Sequence, residues 1–193
     1  GMAFDDAGNR FLITTSRPSL YAAPLPYEYL KRNPHVATPG LTITASDYHN
    51  TFPSSRPHPW RRKRGADPRW VKFYGAGEAK PNGNFTSACG QQVYRAKLFP
   101  EEYHGNYFCC DPQQNMVHRA LIGRDGPGLK VRRHPDQSDS EFLTSSDGWF
   151  RPNNLRVGPD GALYIVDMYR EIIEDYSAIP RYLQQQYGLL NGN

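Results

Sequence analysis

The chain has 193 residues and a net charge of +4, from 23 Lys and Arg against 19 Asp and Glu, a mild excess that does not mark a nucleic-acid-binding protein. No apolar run approaches the roughly 20 residues that cross a bilayer as a helix, which excludes a transmembrane span of that kind. With 13 Tyr, 17 Gly and 17 Pro, the composition is that of a sheet protein with many turns and long connections.

The chain opens on a hairpin. Met2-Ala3-Phe4 and Arg10–Thr14 read as strands around Asp5-Asp6-Ala7-Gly8, and Arg17-Pro18 closes the pair. Residues 17–83 then lose periodicity, broken repeatedly by prolines from Pro18 to Pro68. Within them Tyr27–Lys31 reads as a helical turn and Leu41–Thr44 as a short strand. Large apolar side chains such as Trp60 and Trp70 provide surface to fold this excursion onto the rest. Arg61-Arg62-Lys63-Arg64 reads as a solvated loop, because the run is short and no nucleic-acid motif surrounds it.

Regular pattern returns at residue 84. Phe85–Cys89, Gln91–Arg95, Asn106–Cys110 and Met116–Ile122 read as strands, followed by Leu129–Arg133 and Glu141–Leu143, about one propeller blade of antiparallel meander. Phe150–Arg170 repeats the opening hairpin: Leu155–Val157 and Ala162–Asp167 flank Gly158-Pro159-Asp160-Gly161. In that turn Pro presets φ, Asp bonds back to the backbone and Gly takes positive φ. Glu171–Tyr176 and Arg181–Tyr187 read as short helices, and Gly188–Asn193 should fray.

One hairpin reused at both ends predicts an all-β protein, a partial β-propeller whose blades occupy roughly 40–50 residues each. The division expected is 1–16 as the strand pair of a truncated blade, 17–83 as an irregular excursion packed on the propeller, 84–147 as one complete blade, and 148–193 as the start of the next plus short helices. The chain reads as about half of a propeller, entered partway through.

Cys89, Cys109 and Cys110 show no CxxC, CxxCH or zinc spacing, and the six histidines form no i, i+2 or i, i+4 pair. Two readings stand for the cysteines: a disulfide from Cys89 to Cys110, or buried free thiols. His118, in a strand of apolar neighbours, reads as a satisfied structural histidine or as a group facing the propeller channel. Asp167, at a strand end, reads as a turn former or a channel carboxylate.

The strings Ala88-Cys89-Gly90, Tyr94-Arg95, Phe99-Pro100-Glu101-Glu102-Tyr103, Gly105-Asn106-Tyr107-Phe108, Asn115-Met116-Val117-His118-Arg119, Trp149-Phe150-Arg151-Pro152 and the VGPDGALYIVDMYR run together resemble the propeller domain of the membrane-bound dehydrogenases of planctomycete- and verrucomicrobia-type bacteria. That family is related to sorbosone and aldose sugar dehydrogenases that use pyrroloquinoline quinone. The resemblance implies a six-bladed propeller acting outside the cytoplasm, in the periplasm, on a carbohydrate or alcohol. Its electrons pass to a c-type cytochrome domain of the parent chain, and the CxxCH haem site lies outside these residues.

The resemblance also implies cofactor contacts, with pyrroloquinoline quinone and calcium as the groups to be held. The sugar dehydrogenases place an Arg-x-Arg pair before the final hairpin; the matching positions are Arg151 and Asn153, so the second arginine is absent. A guanidinium there donates two parallel hydrogen bonds to a carboxylate or quinone oxygen, or else clamps carbonyls between blades. Thr86 and Ser87 match pocket-lining strand positions, and Gln113 lies in the turn Asp111–Gln114 where the related enzymes carry a lysine. Each has an ordinary turn or strand-cap role as its alternative. The general base that takes the hydroxyl proton comes from an earlier blade in those enzymes, which leaves the catalytic residues unknown for this chain. Two other functions are open to a propeller: binding a glycan or protein partner without catalysis, and action as a lactonase or hydrolase on a metal cage of Glu, Asn and Asp.

Overall fold

The computed structural model describes residues 1–22, 32, 35, 42–126 and 128–189. The helical turn read at Tyr27–Lys31 lies outside the described residues, as do Leu41 and Leu190–Asn193. The fold is all-β in class; among the described residues, eleven strands form three antiparallel sheets that do not close on themselves. The first sheet orders β1 (Met2–Phe4), β2 (Arg10–Thr14), β3 (Arg17–Ala22) and β4 (Thr42–Thr44). The second orders β5 (Cys89–Val93), β6 (Tyr107–Asp111), β7 (Met116–Asp125) and β8 (Gly128–Arg133), with β9 (Leu143–Thr144) also on β7. The third is the hairpin of β10 (Pro152–Val157) and β11 (Leu163–Asp167).

Strand β6 shows how they stack. Side chains alternate across a strand, so Tyr107 and Cys109 point one way and Phe108 and Cys110 the other. The first pair joins Ala3, Phe11 and Tyr21 of the first sheet in one buried cluster. The second joins Tyr94, Val117 and Leu155, with Val157, Leu163 and Ile165 packed against them from the third sheet. The middle sheet is therefore covered on both faces, as one blade of a propeller is by its neighbours. Met2 and Phe4 at one end, and Tyr164 and Val166 at the other, remain exposed.

The closing hairpin follows its turn chemistry. Val157 pairs with Leu163, Gly158 N donates to Ala162 O at 2.9 Å, and Asp160 Oδ1 accepts from Ala162 N at 3.0 Å. Gly161 takes φ +83°. The first sheet is larger than its opening hairpin suggested, since β3 and β4 add two strands from the excursion. Phe85–Ala88 is not a strand; Phe85 N donates to His49 O and Ala88 N to Thr15 O, which tie the segment to the first sheet and the excursion.

Helices α1 (Pro59–Ala66) and α2 (Pro68–Glu78) occupy a stretch whose prolines read as breaks. Each proline instead stands at the first helical position, where its missing N–H costs nothing and its fixed φ suits the helix. His58 Nδ1 accepts from Trp60 N, and Asp67 Oδ1 accepts from Arg69 N, which cap the two starts. Trp60 anchors α1 in a buried cluster with Ile172, Ile179, Leu183 and Leu189, the last two from α3 (Arg181–Gln186) and just beyond it. The basic run is therefore helical, and Arg61 is only 5% exposed. Glu171–Asp175 is irregular because its polar groups bond elsewhere: the Glu171 carbonyl, which a helix would give to its own amides, accepts from Arg151 Nη2.

Candidate functional site

At one end of the stack β6 ends, β5 and β10 begin, and β11 runs out. Four of the five positions implied as cofactor contacts meet there. Asp111, fully buried, is their hub. Its Oδ2 accepts from Thr86 N at 3.0 Å and Ser87 N at 3.3 Å, and its Oδ1 accepts from Ser87 Oγ at 2.6 Å. Burial pushes the Asp111 carboxyl above its ordinary range, and the Ser87 hydroxyl bond works against that shift. Thr86 Oγ1 donates to Gln113 Oε1 at 2.9 Å, Gln113 N donates to Ser87 Oγ at 2.9 Å, and Gln113 Nε2 donates to Pro81 O.

Arg151 completes the network and is 6% exposed. Nε donates to Arg170 O at 2.9 Å, Nη1 to Pro112 O at 2.9 Å and Gln113 O at 3.3 Å, and Nη2 to Glu171 O. Four of the five N–H donors of a guanidinium thus hold backbone carbonyls from two segments. Burial lowers its pKa from the ordinary arginine value. Asn153 lies apart from the network; its Oδ1 is buried with no hydrogen-bond partner, and its carbonyl abuts Gly90.

Sequence reasoning missed Arg61, which α1 delivers to the same place. Its Nη1 lies 3.0 Å from Glu174 Oε1, Nε donates to Pro81 O, and Nη2 reaches Thr86 Oγ1 at 3.5 Å. No local signal could have found that pair. Beside it opens a cleft of about 330 Å³, lined by Arg56, His58 and Arg62 from the excursion, Asn115 and Trp149 from the blades, and Arg151. Asn115, in a left-handed conformation at φ 55°, bonds the carbonyls of Gly148 and Phe150 and so fixes the loop that carries Trp149. His58 Nε2 lies 3.3 Å from Glu171 Oε1. Among the described residues the Arg56 and Arg62 guanidinium groups form no hydrogen bond or ion pair, and both residues are exposed.

A second polar cluster is sealed inside. His118 Nδ1 lies 2.6 Å from Glu141 Oε2, and His118 Nε2 lies 2.8 Å from Tyr48 Oη. The Glu141 carboxylate can only accept, which places a proton on Nδ1, and burial, which lowers the His118 pKa, favours the neutral ring whose Nε2 accepts from the phenol. Glu141 Oε1 also accepts from Arg133 Nη1 at 3.1 Å and Phe52 N at 3.1 Å. This chain ties the excursion to the blade. Asp167 Oδ1 accepts from the amides of Arg151 and Tyr169, a turn-forming role. Cys89 and Cys110 stand opposite in register, and all three cysteines are free thiols. Among the described residues no group of three or more His, Cys, Asp or Glu is placed to hold a metal, and no helix is long and apolar enough to cross a membrane.

A family model described as "Domain of unknown function (DUF7133)" matches residues 1–193. Comparison with curated proteins and with solved structures finds no match.

Proposed function

The chain belongs to the DUF7133 family, and from that footing we propose that it forms the carbohydrate-presenting part of a β-propeller in a sugar or alcohol dehydrogenase acting outside the cytoplasm. The observation that carries this reading is the cleft at the blade ends. It joins two unpaired guanidinium groups, Arg56 and Arg62, to the exposed indole of Trp149 over a floor built by Gln113, Asn115 and Arg151. An aromatic face with a few convergent polar groups is the usual make-up of a small-molecule site. The dehydrogenase half rests on the resemblance: a hydroxyl of the bound sugar is oxidised, and the electrons leave for a haem domain.

The residues implied as quinone ligands do not fit that role. Thr86, Ser87 and Gln113 spend their donors on Gln113, Asp111 and Pro81, and Arg151 spends four on carbonyls. Asn153 is not among the residues lining the cleft, and among the described residues no group of three or more His, Cys, Asp or Glu is placed to hold a metal. No step is therefore routed through pyrroloquinoline quinone on these side chains. The same observation favours a second reading, in which the propeller binds a glycan without oxidising it.

The two readings separate in one assay. The full-length protein is incubated with pyrroloquinoline quinone and calcium, and sugar-dependent reduction of a dye is followed beside sugar binding. Dye reduction supports the dehydrogenase. Sugar binding with no dye reduction under any cofactor condition overturns it in favour of the glycan binder.

A further inference from the structure

A second cleft of about 240 Å³ lies on the far side of the Arg61–Glu174 pair, and those two residues line both cavities. The pair, at 3.0 Å, is the partition between them. The second cleft is lined by the aliphatic hydroxyls of Thr15, Ser16 and Thr86 and by two aromatic rings, Trp70 and Tyr74. Trp70 and Tyr74 stack at 5.0 Å with planes 2° apart, and the Arg64 guanidinium sits 5.3 Å from the Trp70 centroid. Arg64 is itself tied to Ala178 O at 2.6 Å. The Tyr74 ring is therefore held in place while the residue stays 40% exposed. The two cavities thus share one plan, an aromatic surface beside hydrogen-bonding groups.

Their charges differ. Four arginines line the first cleft against two glutamates, and Glu171 and Glu174 are already engaged by His58 and Arg61. That leaves the positive charge of Arg56 and Arg62 uncompensated. Trp60, which lines the same cleft, also has its indole N–H buried without an acceptor. In the second cleft Arg61 is neutralised by Glu174 and Arg64 is turned to a carbonyl, so the groups left for a ligand are mainly hydroxyls and rings.

We propose that the two clefts are adjoining subsites for an acidic oligosaccharide, a deepening that rests on the carbohydrate reading above. A uronate unit occupies the first. Its carboxylate is held by Arg56 and Arg62, and its C–H face lies on Trp149. A guanidinium suits this because it offers two parallel donors to a planar carboxylate. The chain crosses the Arg61–Glu174 partition, and the next sugar lies along Tyr74, with its hydroxyls bonding Thr15 and Ser16. Each added ring buries apolar face and satisfies hydroxyls, so affinity rises with the second unit.

Calorimetric titration of the full-length protein with glucose, galacturonate and digalacturonate tests this. Galacturonate is expected to bind about tenfold or more tighter than glucose, the worth of one good charge-assisted contact, and digalacturonate about tenfold tighter again. Arg56→Gln with Arg62→Gln removes the preference for the acid, so that galacturonate and glucose bind this variant alike; its thermal midpoint matches the parent's, because both guanidinium groups are exposed and unpaired. Tyr74→Ala removes the gain from the second sugar and leaves galacturonate unchanged. Equal affinity for glucose and galacturonate would overturn the proposal while leaving the carbohydrate reading intact. So would a digalacturonate gain that survives Tyr74→Ala. Failure of all three sugars to bind would overturn both.

Discussion

The Arg61 guanidinium and the Glu174 carboxylate face each other at 3.0 Å although 113 positions separate them in the chain. Both are well buried, with side-chain exposures of 6% and 13%. The pair fastens the excursion to the segment that follows the last hairpin and walls one cleft from the other. Removing one partner of such a pair strands a buried charge, which costs far more than the pair contributes. Arg61→Ala should lose about 3 kcal/mol of stability in urea unfolding. Arg61→Met combined with Glu174→Leu should recover most of that loss. Equal destabilisation by the single and the double variant would show that the ion pair is not the cause.

Arg151 is expected to be a clamp. Arg151→Lys keeps the charge but replaces a planar fork with one ammonium, which cannot reach carbonyls on both sides. The variant should lose about 1–3 kcal/mol, the cost of leaving a buried carbonyl unpaired. Urea midpoints measure this. A variant as stable as the parent, with altered ligand affinity, would return Arg151 to the role of a ligand contact.

His118 gives stability a dependence on pH. Burial lowers its pKa below the ordinary 6.5, against the opposing effect of the Glu141 hydrogen bond. As pH falls through 6.5 the unfolded chain takes up this proton before the folded one does. Stability is therefore complete above pH 6.5 and drains away as pH drops through the folded-state pKa. Thermal unfolding of the parent should show a lower midpoint at pH 5.5 than at pH 7.5. His118→Gln should flatten that difference, and an undiminished difference would place the titrating group elsewhere.

The thiols should be slow. Burial pushes Cys89 up to about 12, and carries Cys109 and Cys110 above their usual value as well. Since the thiolate is the reactive form, native protein at pH 8 should react sluggishly with a disulfide reagent. Three thiols should titrate on unfolding without reductant. A count of one would show that Cys89 and Cys110 are bridged.

Gly90 has φ +59°, and a Cβ there would lie 2.6 Å from both the Asn153 carbonyl oxygen and Asn154 Cα. Gly90→Ala therefore meets backbone strain and a backbone clash together. About 3 kcal/mol or more should be lost, read as a fall in the urea midpoint. Gly8→Ala has the strained φ but open space, so it should cost less.

Much of the sheet framework was legible in the chain. Met2–Phe4 and Arg10–Thr14 are strands with the bounds their alternation gives, and Gly158–Gly161 turns where Pro, Asp and Gly favour it. These depend on alternation and turn chemistry, which act over a few residues and leave a local trace. The helices α1 and α2 were hidden because Pro59 and Pro68 break a helix from within but suit its first position, and the packing of Trp60 decides which applies.

The candidate site divides in the same way. The family resemblance pointed to Arg151, Thr86, Ser87 and Gln113, and they do meet around Asp111. Which of their donors remain free could not be read there, because the carbonyls of Pro112, Arg170 and Glu171 become partners only once two segments approach. The hairpins and the antiparallel strand pattern were readable along the chain, since alternation and turn chemistry act between near neighbours. That Arg151 clamps carbonyls, that Arg61 walls two clefts, and that the Arg56 and Arg62 guanidinium groups stay unpaired emerges only in three dimensions. Those outcomes depend on groups brought together by core packing across long stretches of chain.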